Sequence, residues 1–241
     1  MNSLPLYVPL TFGLVFLLAI WLFSRAVHTS RMSLLVIVLL AVIQSVLGLA
    51  GFYSNADLLT MRFPLLVAPS LALGLILFLT RSGRVFIDSL DIARLTLLHV
   101  FRIGVEIVLL WLFLHQAVPR AMTFDGRNFD ILSGLTAPVV YYFGFIKKRL
   151  SARVLIAWNI VCILLLLNVV SSAFLSLPAR YQAFGFEQPN IAVGFFPFLL
   201  LPSILVPLVI FSHAVIIRRL ITFAFRNGRD EGTFGQDQAS R

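Results

Sequence analysis

His99, Arg102 and Glu106 fall three and four residues apart inside an otherwise apolar stretch, L-T-L-L-H-V-F-R-I-G-V-E-I-V-L-L-W-L-F-L from Leu95 to Leu114. Helical spacing stacks such residues on successive turns of one face. The same face continues toward Asp91 and Asp88, whereas Arg94 and His115 lie off it. A carboxylate and an imidazole placed there can take up and pass on a proton, with the guanidinium between them tuning both. A second reading stays open. Arg102 and Glu106 are four apart, so they can neutralise each other as an ion pair that serves packing alone.

A second polar cluster runs T-F-D-G-R-N-F-D from Thr123 to Asp130. Asp125-Gly126 reads as a turn, and Asp130 is placed to stabilise the start of the next helix. The alternative is an outer rim for a polar ligand built from Asp125, Arg127, Asn128 and Asp130, with Arg127 binding an anion. A third group is structural. Pro197, Pro202 and Pro207 recur every five residues near the C-terminus, and Pro138 interrupts a short apolar run. Each proline removes a backbone donor and crowds the preceding turn. Short, Pro-broken helices line binding sites in transporters.

Other chemistries lack their residues. Metal catalysis needs converging ligands, but the four histidines are scattered and HExxH is absent. Haem held between His99 and His213 is conceivable only because both fall at similar depths; no cofactor is expected. The single Cys162 excludes a disulfide framework and a cysteine metal cluster. Lys147 and Lys148 are the only lysines and sit between apolar runs, which excludes a retinal Schiff base within a helix. No nucleophile with its base and no nucleotide-binding loop is present, so an enzyme ranks third among the function classes.

The elements that position these residues follow from composition. The chain has 241 residues, 60% hydrophobic and 12% charged, against about 25% charged in ordinary soluble domains. That excludes a soluble enzyme and a disordered chain. With about 20 apolar residues needed to cross a bilayer, seven spans are expected: 6–24, 32–53, 64–80, 88–118, 129–146, 153–177 and 191–217. The expected fold is therefore an all-α integral membrane protein, a single seven-helix bundle over residues 1–217. A basic cytoplasmic tail follows over 218–241, disordered at its end.

The net charge of +9 sits between the spans. Thirteen of the Lys and Arg fall on one side of the membrane, against Arg62, Arg120, Arg127 and Arg180 on the other. By the positive-inside rule this places the N-terminus outside and the C-terminus in the cytoplasm. The basic residues form no basic-aromatic footprint, so no nucleic-acid partner is expected. Compact loops without an N-x-[ST] acceptor lean toward a bacterial inner membrane.

Two function classes fit. In one, the bundle binds or moves a small polar solute or proton through the polar stripe on the fourth helix, as an uncharacterised transporter-like protein. In the other, it is a non-catalytic sensor or the accessory subunit of a membrane complex, and the stripe serves helix packing. Expected partners are the lipid bilayer, a small polar ligand or proton, and a membrane-protein partner or a second copy of the chain.

Overall fold

A computed structural model describes residues 4–27 and 31–239, with the side chains of residues 31, 56, 57 and 224–239 outside the description. The basic tail, where disorder is expected at the end, continues as helix to Ala239, and residues 240–241 lie outside the described residues. The described chain is helical and has no strand. Its helices are α1 (Tyr7–Ala26), α2 (Arg31–Leu49), α3 (Ala56–Leu79), α4 (Arg81–Ser89), α5 (Ile92–Leu98), α6 (Phe101–Leu114), α7 (Ile131–Tyr141), α8 (Ala152–Phe174) and α9 (Val206–Ala239).

Among the described residues, six segments are long and apolar enough to cross a membrane. These are Tyr7–Ala26, Met32–Leu49, Leu58–Leu79, Ile92–Leu114, Ala152–Phe174 and Leu201–Phe223. The protein is thus a multi-pass integral membrane protein in character. The segment Ile131–Ile146, expected as a full span, is a shorter apolar helix. At 1.5 Å per residue it reaches roughly 24 Å, short of a hydrocarbon core of about 30 Å.

The expected fourth helix over 88–118 is three pieces. Asp91 caps α5 with its side chain, accepting from the Ala93 and Arg94 amides, which ends α4 and starts a new helix. A second interruption at His99–Val100 separates α5 from α6. The expected seventh helix over 191–217 begins ten residues late. A 3-10 turn at Ala192–Gly194 and an irregular stretch precede a π-helical turn at Leu201–Leu205, from which α9 continues. Pro197, Pro202 and Pro207 account for this, since each deletes a ladder donor. Non-helical backbone survives in a membrane where protein covers it, and Ala192, Val193, Gly194, Phe198 and Leu199 are all buried. A Cβ on Gly194 would lie 2.5 Å from the Tyr53 carbonyl oxygen, so only glycine permits that approach.

Two segments form the centre. Half of the Ile92–Leu114 window and 61% of the Leu201–Phe223 window are buried, against 28% or less in the other four spans. α1 packs on α5 and α6, α7 on α5 and α6, and α8 on α9. α2 and α3 sit at the edge. There Gln44 donates to the Leu65 carbonyl at 3.2 Å and accepts from the Tyr53 hydroxyl at 2.9 Å, tying the pair together and placing Tyr53 in the interior.

Candidate functional site

Among the described residues, both buried histidines and two of the three buried charged side chains lie on the two central segments. His99, Arg102 and Glu106 are at most 2% exposed, and Asn128, Asp130, Asn159 and His213 at most 5%. Burying these groups unpaired would be costly, so the pattern of partners is informative.

Arg102 is paired across the bundle. Its Nε donates to Asp130 Oδ2 at 2.7 Å, and Nη2 donates to Asp130 Oδ1. This two-pronged contact joins α6 to the residue that opens α7. The within-helix Arg102–Glu106 pair weighed from spacing is not formed; the salt bridge is Arg102–Asp130. Asp130 correspondingly makes no side-chain cap for α7. The other guanidinium nitrogen, Nη1, lies 3.2 Å from His213 Nε2. Because a guanidinium only donates, that ring nitrogen accepts. His213 Nδ1 therefore carries the proton and donates to Asn159 Oδ1 at 2.7 Å. Asn159 in turn donates to the Leu155 carbonyl at 2.8 Å. One polar chain thus runs from α7 through α6 and α9 into α8.

Glu106 has a different environment. The Asn128 amide nitrogen lies 2.7 Å from each of its carboxylate oxygens and also 3.0 Å from the Met122 carbonyl. Asn128 holds its own position by accepting from the Asp130 amide at 2.9 Å. A single neutral amide thus holds a fully buried carboxylate. Glu106, Arg102, Asp130 and Asn190 line one cavity of about 80 Å³, whose remaining walls are apolar and come from α3, α6, α8 and α9. That space holds a few waters or a small solute. Pro202, in the π-helical turn, is part of its wall, and such turns recur at functional sites.

His99 stacks face to face on His213, with ring centroids 3.9 Å apart and planes 8° from parallel, and Trp158 meets both rings edge-on. Both ring nitrogens of His99 are buried without a hydrogen-bond partner. The stacked rings leave no space for a haem between them, and both His213 nitrogens are engaged. Among the described residues no group of His, Cys, Asp or Glu is placed to hold a metal.

The stripe expected along one helix is only partly assembled. His99, Arg102 and Glu106 come together. Asp91 is turned into a cap and pairs with Arg94 at 3.2 Å. Asp88 meets Arg218 at 3.4 Å, and its carbonyl accepts from Arg219. The break at Leu90–Asp91 removes both aspartates from the face that continuous-helix geometry assigns them.

The outer rim divides as well. Asp125 forms an exposed pair with Arg120 at 2.9 Å. Arg127 lies over the Phe184 ring at 5.1 Å, and its carbonyl accepts from Asn168. Asn128 and Asp130 instead turn inward to complete the cluster. They are buried on either side of Phe129, which is exposed. Asn159 and Trp158, on α8, are the members that spacing along α6 could not reveal. Pro138 lies in α7 just before a π-helical turn at Tyr142–Ile146.

No curated protein and no solved structure matches the chain. A family model matches residues 63–221, a stretch that contains every residue of the buried cluster. That match covers well over half of the chain, and the protein belongs to the family described as Domain of unknown function (DUF8737).

Proposed function

We propose that the bundle binds or moves a small polar solute or proton through the cavity bordered by Glu106, Arg102 and Asp130. The observation that carries this reading is Glu106 itself. It is a buried carboxylate on a cavity wall, held by one neutral amide, with the guanidinium beside it already committed to Asp130. A buried ion in a membrane is expensive and marks a pathway or a ligand site. His99, Arg102 and Glu106 are the working groups in this reading, with Asn128 and Asp130 as their supports.

The short Ile131–Ile146 helix makes a seventh crossing, with the N-terminus outside and the C-terminus in the cytoplasm of a bacterial cell. Lys/Arg asymmetry supports that orientation. A reporter after Arg229 should be cytoplasmic and one near Gly126 external; both on one side would remove the seventh crossing. The function itself is tested in proteoliposomes enclosing a pH-sensitive dye. Wild-type protein should carry protons across the vesicle wall, alone or with a solute, and folded Glu106→Gln should carry none. Flux undiminished in Glu106→Gln would leave the cluster a packing device, the role it has in a sensor or accessory subunit.

A further inference from the structure

The donors and acceptors around the cavity are unequal, and the imbalance points to the sign of the ligand. Arg102 has five N–H groups. Those on Nε and Nη2 go to Asp130 and toward the Cys162 carbonyl, and Nη1 faces His213. One N–H is left for an anion. Acceptors are in surplus. The Glu106 carboxylate can accept about four hydrogen bonds and is served by one amide. Asn190 lines the same cavity with its Oδ1 buried and unpartnered, while one of its two amide N–H groups goes to the Ala173 carbonyl at 3.1 Å. With Arg102 and Asp130 cancelling, the formal charge of the site is that of Glu106. The rest of the wall is hydrocarbon and aromatic, including Phe63, Phe101 and Val169.

We infer that the cavity takes a small aliphatic ammonium ion, which exchanges with a proton on Glu106. The three N–H donors of an ammonium match Glu106 and the orphaned Asn190 oxygen, and its alkyl body matches the walls. In the empty site the proton neutralises Glu106. On binding, the carboxyl O–H gives that proton to water, and the cation replaces it as counter-charge. The other titratable groups of the cluster are Arg102 on the same helix, Asp130 before α7, Cys162 on α8, His213 on α9 and His99 at the α5–α6 break. Among them, Asp130 and His213 are each hydrogen-bonded to Arg102. This inference rests on the cavity being the working site, as proposed above, and adds the ligand class.

Purified full-length protein in detergent is titrated calorimetrically with isobutylammonium, isobutanol and isobutyrate, in buffers of differing ionisation enthalpy. Isobutylammonium alone should bind saturably, release close to one proton per ion, and weaken about tenfold for each unit of pH lowered through the range where Glu106 is protonated. Glu106→Gln should abolish both binding and release, and Asn190→Leu should weaken binding while keeping the released proton. Preferential binding of isobutyrate, or ammonium binding without proton release in the wild type, would overturn the inference with no variant needed. The two proposals separate cleanly: proton flux lost in Glu106→Gln but no ammonium binding in the wild type sinks the ligand class alone. Flux undiminished in that variant sinks the site.

Discussion

Helices α2 and α3 resemble the central α5–α6 and α9 segments in apolar content, yet the two regions are put to different uses. In α2 and α3 only 11% and 6% of the membrane windows are buried, and Leu35, Leu39, Leu65 and Leu75 face outward. Their requirement is hydrocarbon on the surface, which many sequences meet. The central segments must bury Arg102, Asp130, Glu106, His99 and His213 together. Every departure from regular helix near them (the breaks at 90–91 and 99–100, and the π-helical turn at Leu201–Leu205) lies where polar groups or prolines must be accommodated. Composition is interchangeable at the edge and position is decisive at the centre.

Substitutions should separate the regions by size of effect. The largest belongs to the ion pair. Arg102→Leu or Asp130→Leu alone leaves a buried charge, at about 3–5 kcal/mol by analogy with soluble proteins. The double replacement should return to near wild-type stability in SDS titration. If the two single losses simply add in the double variant, the pair is not the unit described here. Next comes Asn159→Leu, which strips His213 Nδ1–H of its acceptor and should cost about 1–3 kcal/mol in the same titration. Gly194→Ala, which pushes a methyl against the Tyr53 carbonyl, should cost about 1–3 kcal/mol as overpacking, read as a lowered thermal midpoint in detergent. At the edge, Leu39→Ala, 59% exposed, should change stability by about 0.5 kcal/mol or less. An edge substitution rivalling the central ones would erase the contrast.

How much of this was legible in the sequence follows the same divide. The apolar spans of α1, α2, α3 and α8 are read from hydropathy to within a few residues at most ends, because lipid-facing surface needs only length and composition. The start of α3 is an exception: the expected span 64–80 begins at Pro64, whereas the helix starts at Ala56 and carries Pro64 and Pro69 inside it. The other large misplacements lie where side chains override the ladder. Asp91 supplies a cap that a continuous-helix wheel cannot anticipate. The three prolines announce a break, but the close approach of the Tyr53 carbonyl to Gly194 inside it comes from tertiary packing. The partner of Arg102 was hidden for a related reason: Glu106 is near in sequence, but it is Asp130 that meets the guanidinium with both carboxylate oxygens. Asp130 and Asn128 were visible as polar residues, and only tertiary packing turns them inward.

The junction between α1 and α5 also bears on synthesis. The carbonyl of Ala26, at the end of α1, accepts from the Asp91 amide at 3.0 Å, and Arg94 reaches the carbonyl of Arg25, 69 residues earlier. The end of α1 is therefore sealed by residues translated after α2, α3 and α4. At about 5–20 residues per second, the first helix waits roughly 3–14 s for its permanent neighbour. During that interval Val8, Phe12, Val15 and Ala19, all destined for the interior, have only lipid or the insertion machinery against them. The late arrival of α5 thus leaves α1 dependent on its surroundings while α2, α3 and α4 are made.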